Sequence, residues 1–216
     1  MTATIQTIIG QIEPNLPGSP ESSEPAQRDW KPERYPLNYD TDGLHPSVNE
    51  AHRAVQWWLN DIIHRETSRR RMLTLYGKSG SGKTHLARNA VNVLKSEGRT
   101  AQFWPWRKAL SRMLDGEWEL MGHLCRLPIL ALDDVGTEFT GTDKTRRLSN
   151  AKLYELIDER CGKWTLITSN LSPGDLADET DVRIASRLFR GNNVLIDMSS
   201  AEDYCFKRWK EGKAQR

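Results

Sequence analysis

A chain of 216 residues with 31 Lys and Arg against 29 Asp and Glu can bury one ordinary core, and is too evenly charged for bulk attraction to nucleic acid, so any such affinity must come from local patches. Its three cysteines, Cys125, Cys161 and Cys205, are far apart and lack CxxC spacing, which fits reduced, buried thiols and excludes a cysteine metal site. No apolar run approaches the roughly 20 residues of a membrane span, and the N-terminus lacks the basic, apolar and small-residue order of a secretory signal, so a cytoplasmic protein without a membrane partner is expected.

Residues 1–39 read as a disordered or partner-docking tail. EPNLPGSPESSEPAQ is too rich in Pro, Ser and Glu to bury apolar surface that offsets its ordering entropy. Ahead of it Ile5, Ile8, Ile9 and Ile12 have near-helical spacing, as a short docking peptide or a frayed end would. Residues 40–216 form the folded part. It opens on HPSVNEAHRAVQWWLNDII, where Ser47 and Glu50 fit a capping box and Ala51, Ala54, Val55, Trp58, Leu59 and Ile62 make one apolar stripe. RETSRRR, Arg65 to Arg71, follows as a solvated connector or a basic patch.

MLTLY then reads as a buried strand, and GKSGSGKT, Gly77 to Thr84, follows it at the start of a helical pattern. This satisfies GxxxxGK[ST] in the strand-to-helix context the motif requires. Glycines let the loop curl so that its N–H groups and the helix N-terminus face phosphate oxygens; Lys83 reaches the β and γ phosphates, and the Thr84 hydroxyl can ligate Mg²⁺.

TAQFW is the next strand, with helices over Trp106 to Leu114 and Glu117 to Cys125. Within FWPWRKALSR, Arg107, Lys108 and Arg112 stand beside Trp104 and Trp106, the mixture of cations and stacking surfaces that single strands favour. The same two tryptophans fit a core equally well. PILALDD ends an apolar run with Asp133 and Asp134, two acids that are costly at the end of a buried strand unless a cation is near. At a parallel strand's C-terminal edge Asp133 would be a second-shell partner of Mg²⁺, and Asp134 the carboxylate that polarises an attacking water. TDKTRR, with Lys144 and Arg146, is expected in the loop beyond, as phosphate contacts in an oligomer's channel or as a solvated helix start.

A helix from about Arg146 to Arg160 leads to WTLITSN, whose Ser169 and Asn170 end a strand with groups able to hold a water or a γ-phosphate. In DVRIASRLFRG, Arg183, Arg187 and Arg190 share one helix face beside the apolar Ile184 and Leu188. Alone, that face reads as solvated. VLID and a helix from Ser199 close the pattern. Strands alternating with helices predict an α/β fold of three layers, αβα, around a central parallel sheet.

Taken together, GKSGSGKTHLA, LALDDVGTE, LYELIDER, TLITSNLSPGDL and DVRIASRLFRG resemble, in order and spacing, the P-loop NTPases of the AAA+ class known as bacterial helicase loaders, the DnaC type and the related IstB transposition helpers. The resemblance spans about Leu37 to Tyr204. It implies that Gly77, Lys78, Ser79, Gly80, Ser81, Gly82, Lys83, Thr84 and His85 bind ATP, that Thr84 and Asp133 serve Mg²⁺, and that Lys83, Asp134, Asn170 and Arg187 are catalytic. Asn170 matches the family's γ-phosphate sensor, Arg187 the arginine finger carried into a neighbouring subunit's site, and Arg183 a second interface arginine.

It further implies an ATP-dependent oligomer, single-stranded or duplex DNA in its channel, and a replicative helicase or a transposase as partner. Loading a replicative helicase is the first reading and an IstB- or TnsC-like transposition ATPase the second. A small-molecule P-loop kinase fits less well, because phosphoryl transfer to a metabolite needs none of the DD, TSN and SRL blocks. Departures exist. Cys205 stands where the family carries an arginine that touches nucleotide in cis, with Arg208 in a different register, which keeps open an adaptor with little turnover. The segment between TAQFW and PILALDD is shorter than in typical loaders, and about 19 residues after VLID leave little or no C-terminal lid domain.

Overall fold

Every apolar run read as a strand joins one parallel sheet, in the spatial order Ala101–Pro105, Ile129–Val135, Trp164–Ser169, Met72–Tyr76, Val194–Asp197. The computed structural model describes residues 45–64, 71–136, 143–189 and 193–203, all within the unit Tyr35–Arg216. The elements are α1 (Pro46–Ile63), β1 (Met72–Tyr76), α2 (Lys83–Ser96), β2 (Ala101–Pro105), α3 (Trp106–Leu114), α4 (Glu119–Arg126), β3 (Ile129–Val135), α5 (Asp143–Glu159), β4 (Trp164–Ser169), α6 (Pro173–Glu179), α7 (Val182–Phe189) and β5 (Val194–Asp197). The expected tail over 1–39, RETSRR at 65–70, Arg190, Tyr204, Cys205 and Arg208 lie outside the described residues.

Side chains alternate across a strand, and this divides the core into two layers. Leu73, Leu75, Ile129, Ala131 and Leu166 pack with α1 and α2. Met72, Leu130, Leu132 and Ile167 pack with α3 to α7 on the other face. The architecture is therefore the three-layer α/β fold that the alternation of strands and helices predicts. Helix α7 has only 8 residues, too few to persist alone. Ile184 and Leu188, both 0 % exposed, anchor it with about 2 kcal/mol of apolar burial each, and the arginines are left on its outer side.

Several local expectations change. The N-cap of α1 is His45, whose Nδ1 accepts from the Ser47 N–H at 3.3 Å. Pro46 takes the first helical position, where its missing N–H costs nothing, so Ser47 falls inside the helix and the Ser47–Glu50 box does not form. Helix α6 was not expected, although Ser172, Pro173 and Asp175 spell its start: Ser172 caps the Asp175 N–H and Asp175 caps back. Where a helix was expected from Ser199, Ser199 and Ser200 form a turn closed by the Ala201 N–H donating to Met198 O at 3.1 Å. Cys161 is exposed and Cys125 only half-buried: Cys161 lies in the turn after α5, and Cys125, near the end of α4, packs against the edge of the core.

Candidate nucleotide-binding site

Strand β4 lies between β1 and β3, and the pairings Tyr76↔Ser169 and Val135↔Ser169 bring their C-terminal ends level. The phosphate loop, the Asp pair and the Ser-Asn step consequently emerge side by side. Gly77 starts the loop at φ 139°, and its N–H donates to Ser169 O at 3.2 Å. A Cβ there would lie 2.5 Å from the backbone of Met198 and Ser199, so only glycine lets the chain beyond β5 close on the loop. At Gly80 (φ 81°) a Cβ would fall 2.2 Å from the Asp203 carboxylate, which places that acid against the loop as well.

Lys83 heads α2, is 5 % exposed, and its Nζ donates to Gly77 O and Lys78 O at 2.7 Å and to Ser81 Oγ at 3.2 Å. An ammonium has three protons, so a phosphate oxygen is gained by exchanging one of these loop acceptors. Burial pulls the Lys83 pKa down to about 8, against the opposing charges of Asp134 and Asp133. Thr84 and Thr168 hydroxyls donate to Oδ1 of Asp133 at 2.9 and 2.6 Å. The same Thr168 oxygen accepts from the Asp134 N–H at 2.9 Å.

A regular strand would send Asp133 and Asp134 to opposite faces. Here the register shifts between Leu132 and Val135, and Asp134 adopts φ 61°. Asp133 stays buried at 5 % exposure while Asp134 turns out to the edge, where its Oδ1 accepts from Asn170 Nδ2 at 2.8 Å. The structure thus brings Lys83, Thr84, Asp133, Asp134 and Asn170 to one edge. Thr168, which the sequence reading passed over, ties Asp133 to Asp134; a threonine in the same apolar strand as the Ser-Asn end was the available signal. Lys78, Ser79, Thr84 and His85 are exposed along the loop and the first turn of α2, whereas Ser81 is buried. A buried carboxylate held by neutral hydroxyls is an all-oxygen, hard donor set, which fits Mg²⁺.

Arg187 is held elsewhere. Its Nη2 pairs with Asp158 Oδ1 at 2.6 Å and donates to Tyr154 Oη at 3.3 Å. Arg183 is forked on Asp181, with Nε 3.0 and 3.1 Å and Nη2 2.7 Å from its oxygens, and its guanidinium lies 4.8 Å from the centroid of the Tyr154 ring. Neither Tyr154 nor Asp158 was singled out from the sequence, because the contact forms between two helices.

Of the expected DNA-contacting residues, Arg107 and Lys108 are exposed on α3. Arg112 is paired with Glu117 and stacks 5.3 Å from the Trp104 centroid. Trp106 is 0 % exposed and belongs to the core. Trp118, at 57 % exposure, presents a further aromatic surface that the sequence reading omitted. Lys144 and Arg146 lie in the first turns of α5, not in a loop, because that helix begins at Asp143; the Lys144 side chain lies outside the described residues. No helix among the described residues is long and apolar enough to cross a membrane.

No family model matches the chain. A curated relative, the uncharacterized protein YqaM of Bacillus subtilis, is 22% identical over 157 residues, 70% of this chain and 50% of that protein. Among solved structures, a DnaC helicase loader superposes with TM-score 0.60 at 25% identity, covering 80% of this chain and 99% of that one. A DNA replication initiation factor superposes with TM-score 0.63 at 22% identity over 85% of this chain and 55% of that one. DnaA from Aquifex aeolicus, solved with AMPPCP bound, gives 0.58 at 23% identity over 84% and 55%. The chain therefore spans about half the length of the curated relative and of these two initiation proteins, and the resemblance to DnaC-type loaders read from its motifs extends to the fold.

Proposed function

We propose that this chain is a Mg²⁺-dependent AAA+ ATPase that shares each ATP site between two copies and uses nucleotide state to engage DNA and hand over a replicative helicase. The observation that carries it is the single oxygen of Asp133 on which the Thr84 and Thr168 hydroxyls converge, because it ties the phosphate loop to the ends of β3 and β4 as one unit. Lys83 and the loop N–H groups would hold the β and γ phosphates. Thr84, directly, and Asp133, behind it, would hold Mg²⁺, which when bound offsets the charge of the phosphates.

Asp134 stands at the edge as the acceptor for a proton of the attacking water, and Asn170 fixes the carboxylate's direction. Arg187, from a second copy, supplies the cation for charge that develops on the transferred phosphoryl group. Arg107, Lys108, Arg112, Lys144 and Arg146 supply the DNA contacts. The loader reading is supported by the likeness to a DnaC helicase loader along nearly the whole of that chain. Residues 40–216 are the ATPase core in this reading, and 1–39 a disordered or partner-docking tail.

Mixing tests the shared site. Arg187→Ala and Asp134→Asn proteins should each bind ATP and fail to turn it over, and together recover part of the activity. No recovery at any ratio would sink the shared site. Immobilised full-length protein with ATP should retain a replicative helicase in preference to a transposase; the reverse preference would replace the loader with the transposition reading.

A further inference from the structure

Helices α5 and α7 face one another through two pairs of residues spaced i, i+4: Tyr154 and Asp158 on the first, Arg183 and Arg187 on the second. The two arginines are held differently. Arg183 makes a fork with both oxygens of Asp181, two residues away, the bidentate mode, while its side chain stays 65% exposed. Arg187 meets Asp158 through one nitrogen, with both partners partly open at 32% and 43% side-chain exposure. An ion pair of that kind is weak and exchangeable, and cannot by itself fix a side chain with as many rotamers as arginine.

What remains to fix it is the Tyr154 ring. Its hydroxyl accepts from Arg187 at 3.3 Å, and its ring centroid lies 5.9 Å from the Arg187 guanidinium and 4.8 Å from that of Arg183. Tyr154 is itself seated against the buried cluster that contains Leu153, Ile184 and Leu188, so the ring is held by packing that the ion pair lacks. The Arg187–Asp158 pair is an arrangement in which a phosphate oxygen can replace the carboxylate oxygen, and such an exchange does not of itself break the contact with the ring.

We infer that Tyr154 is a positioning residue for Arg187: it carries the guanidinium at the angle from which Arg187 enters the ATP site of a second copy, and Asp158 is the carboxylate exchanged for the phosphate. This rests on the reading of Arg187 as an arginine that acts in trans.

The test uses full-length Tyr154→Ala and Tyr154→Phe, with Tyr154→Leu to keep the packing volume if the alanine variant does not fold. Steady-state ATPase at saturating ATP, binding of a fluorescent ATP analogue and mixing with Asp134→Asn protein are measured. Loss of the ring should lower kcat by about 10-fold or more, as a misplaced catalytic group does, while analogue affinity changes by less than about twofold. Phenylalanine, which keeps the aromatic face, should stay within roughly threefold of the parent. Tyr154→Ala should regain turnover with Asp134→Asn protein, which lends a well-held Arg187, and gain nothing from Arg187→Ala protein.

Parental kcat in both Tyr154→Ala and Tyr154→Leu would overturn the inference. So would a loss that Asp134→Asn protein does not relieve, or a phenylalanine variant as impaired as the alanine one. If Arg187→Ala itself hydrolyses ATP normally, the shared-site reading fails first; if Arg187→Ala is inactive and the ring-deleted variants are not, the positioning role fails alone.

Discussion

Arg160 and Arg187 sit against the same helix, α5, and are satisfied in opposite ways. Arg160 is 1 % exposed and gives its guanidinium to Leu124 O, Leu127 O, Trp164 O and Thr165 Oγ1 at 2.7 to 2.9 Å. Those acceptors end α4 and begin β4, so the side chain fastens three elements. Burial lowers its pKa to about 10, and no carboxylate is among these partners. For Arg187 the pKa is raised, first by its hydrogen bond to Tyr154 and, against burial, by the charge of Asp158. An arginine held by backbone carbonyls cannot leave without unmaking the fold, whereas one held by a part-exposed carboxylate and a ring can be handed to another anion. Arginine at two places beside α5 thus means structure in one case and availability in the other.

Four measurements probe that contrast. The largest effect is expected at Arg187: alanine there should cut ATP turnover by about 1,000-fold, in line with trans-acting arginines, and leave the thermal midpoint unchanged. A large fall in the midpoint would make Arg187 structural too. Next, Arg160→Ala should cost about 3 kcal/mol in denaturant unfolding, because it strands several buried acceptors, with turnover per folded molecule retained. Arg160→Lys should not restore the loss, since one ammonium cannot reproduce the planar fork. Loss of activity without loss of stability in Arg160→Ala would erase the distinction.

Third comes the buried cation of the phosphate loop. With a folded pKa of about 8, Lys83 loses its proton in the nucleotide-free protein as pH rises, and phosphate needs the charged form. Nucleotide affinity should decline above about pH 8, approaching tenfold per unit, and binding near pH 8.5 should take up a proton, read as a dependence of the binding heat on buffer. Stability runs the other way. The folded value lies below the ordinary 10.5, so the unfolded chain holds the proton more tightly, and stability gained from Lys83 grows between about pH 8 and 10.5 and is lost as pH falls through 8. Lys83→Arg should abolish the proton uptake. Smallest is the response to salt: raising it from about 0.05 to about 0.5 M should speed hydrogen exchange in α7 a few-fold by screening its exposed pairs. Exchange just beyond α5, where Arg160 is buried, should not respond.

Those residues whose function is local were legible in the sequence. GKSGSGKT names its own turn, helix start and ligand chemistry, and a double Asp at the end of an apolar run needs a cation wherever it folds. The arginine face was visible as spacing, Arg183 to Arg187, but its holders were not: Tyr154 and Asp158 belong to another helix, and nothing in LYELIDER separates them from surface residues. Arg160 stood in the same block without a role, since its acceptors come from residues 124, 127, 164 and 165, which only the packed chain assembles. Trp106 was ambiguous for the complementary reason: an aromatic beside cations looks the same in sequence whether it stacks on a base or fills a core. The start of α6 was legible and overlooked, as SPGD carries cap, proline and N3 acid in order.

Asp134 is the one non-glycine residue with positive φ among the described residues. That conformation costs an aspartate on the order of 1 kcal/mol and suits asparagine or glycine better. On the proposed reading, the activation of water by Asp134 is what opposes the preference of this torsion for asparagine or glycine. Relief of that torsion alone would make the Asp134→Asn protein slightly more stable than its parent, with the phosphate loop unaltered.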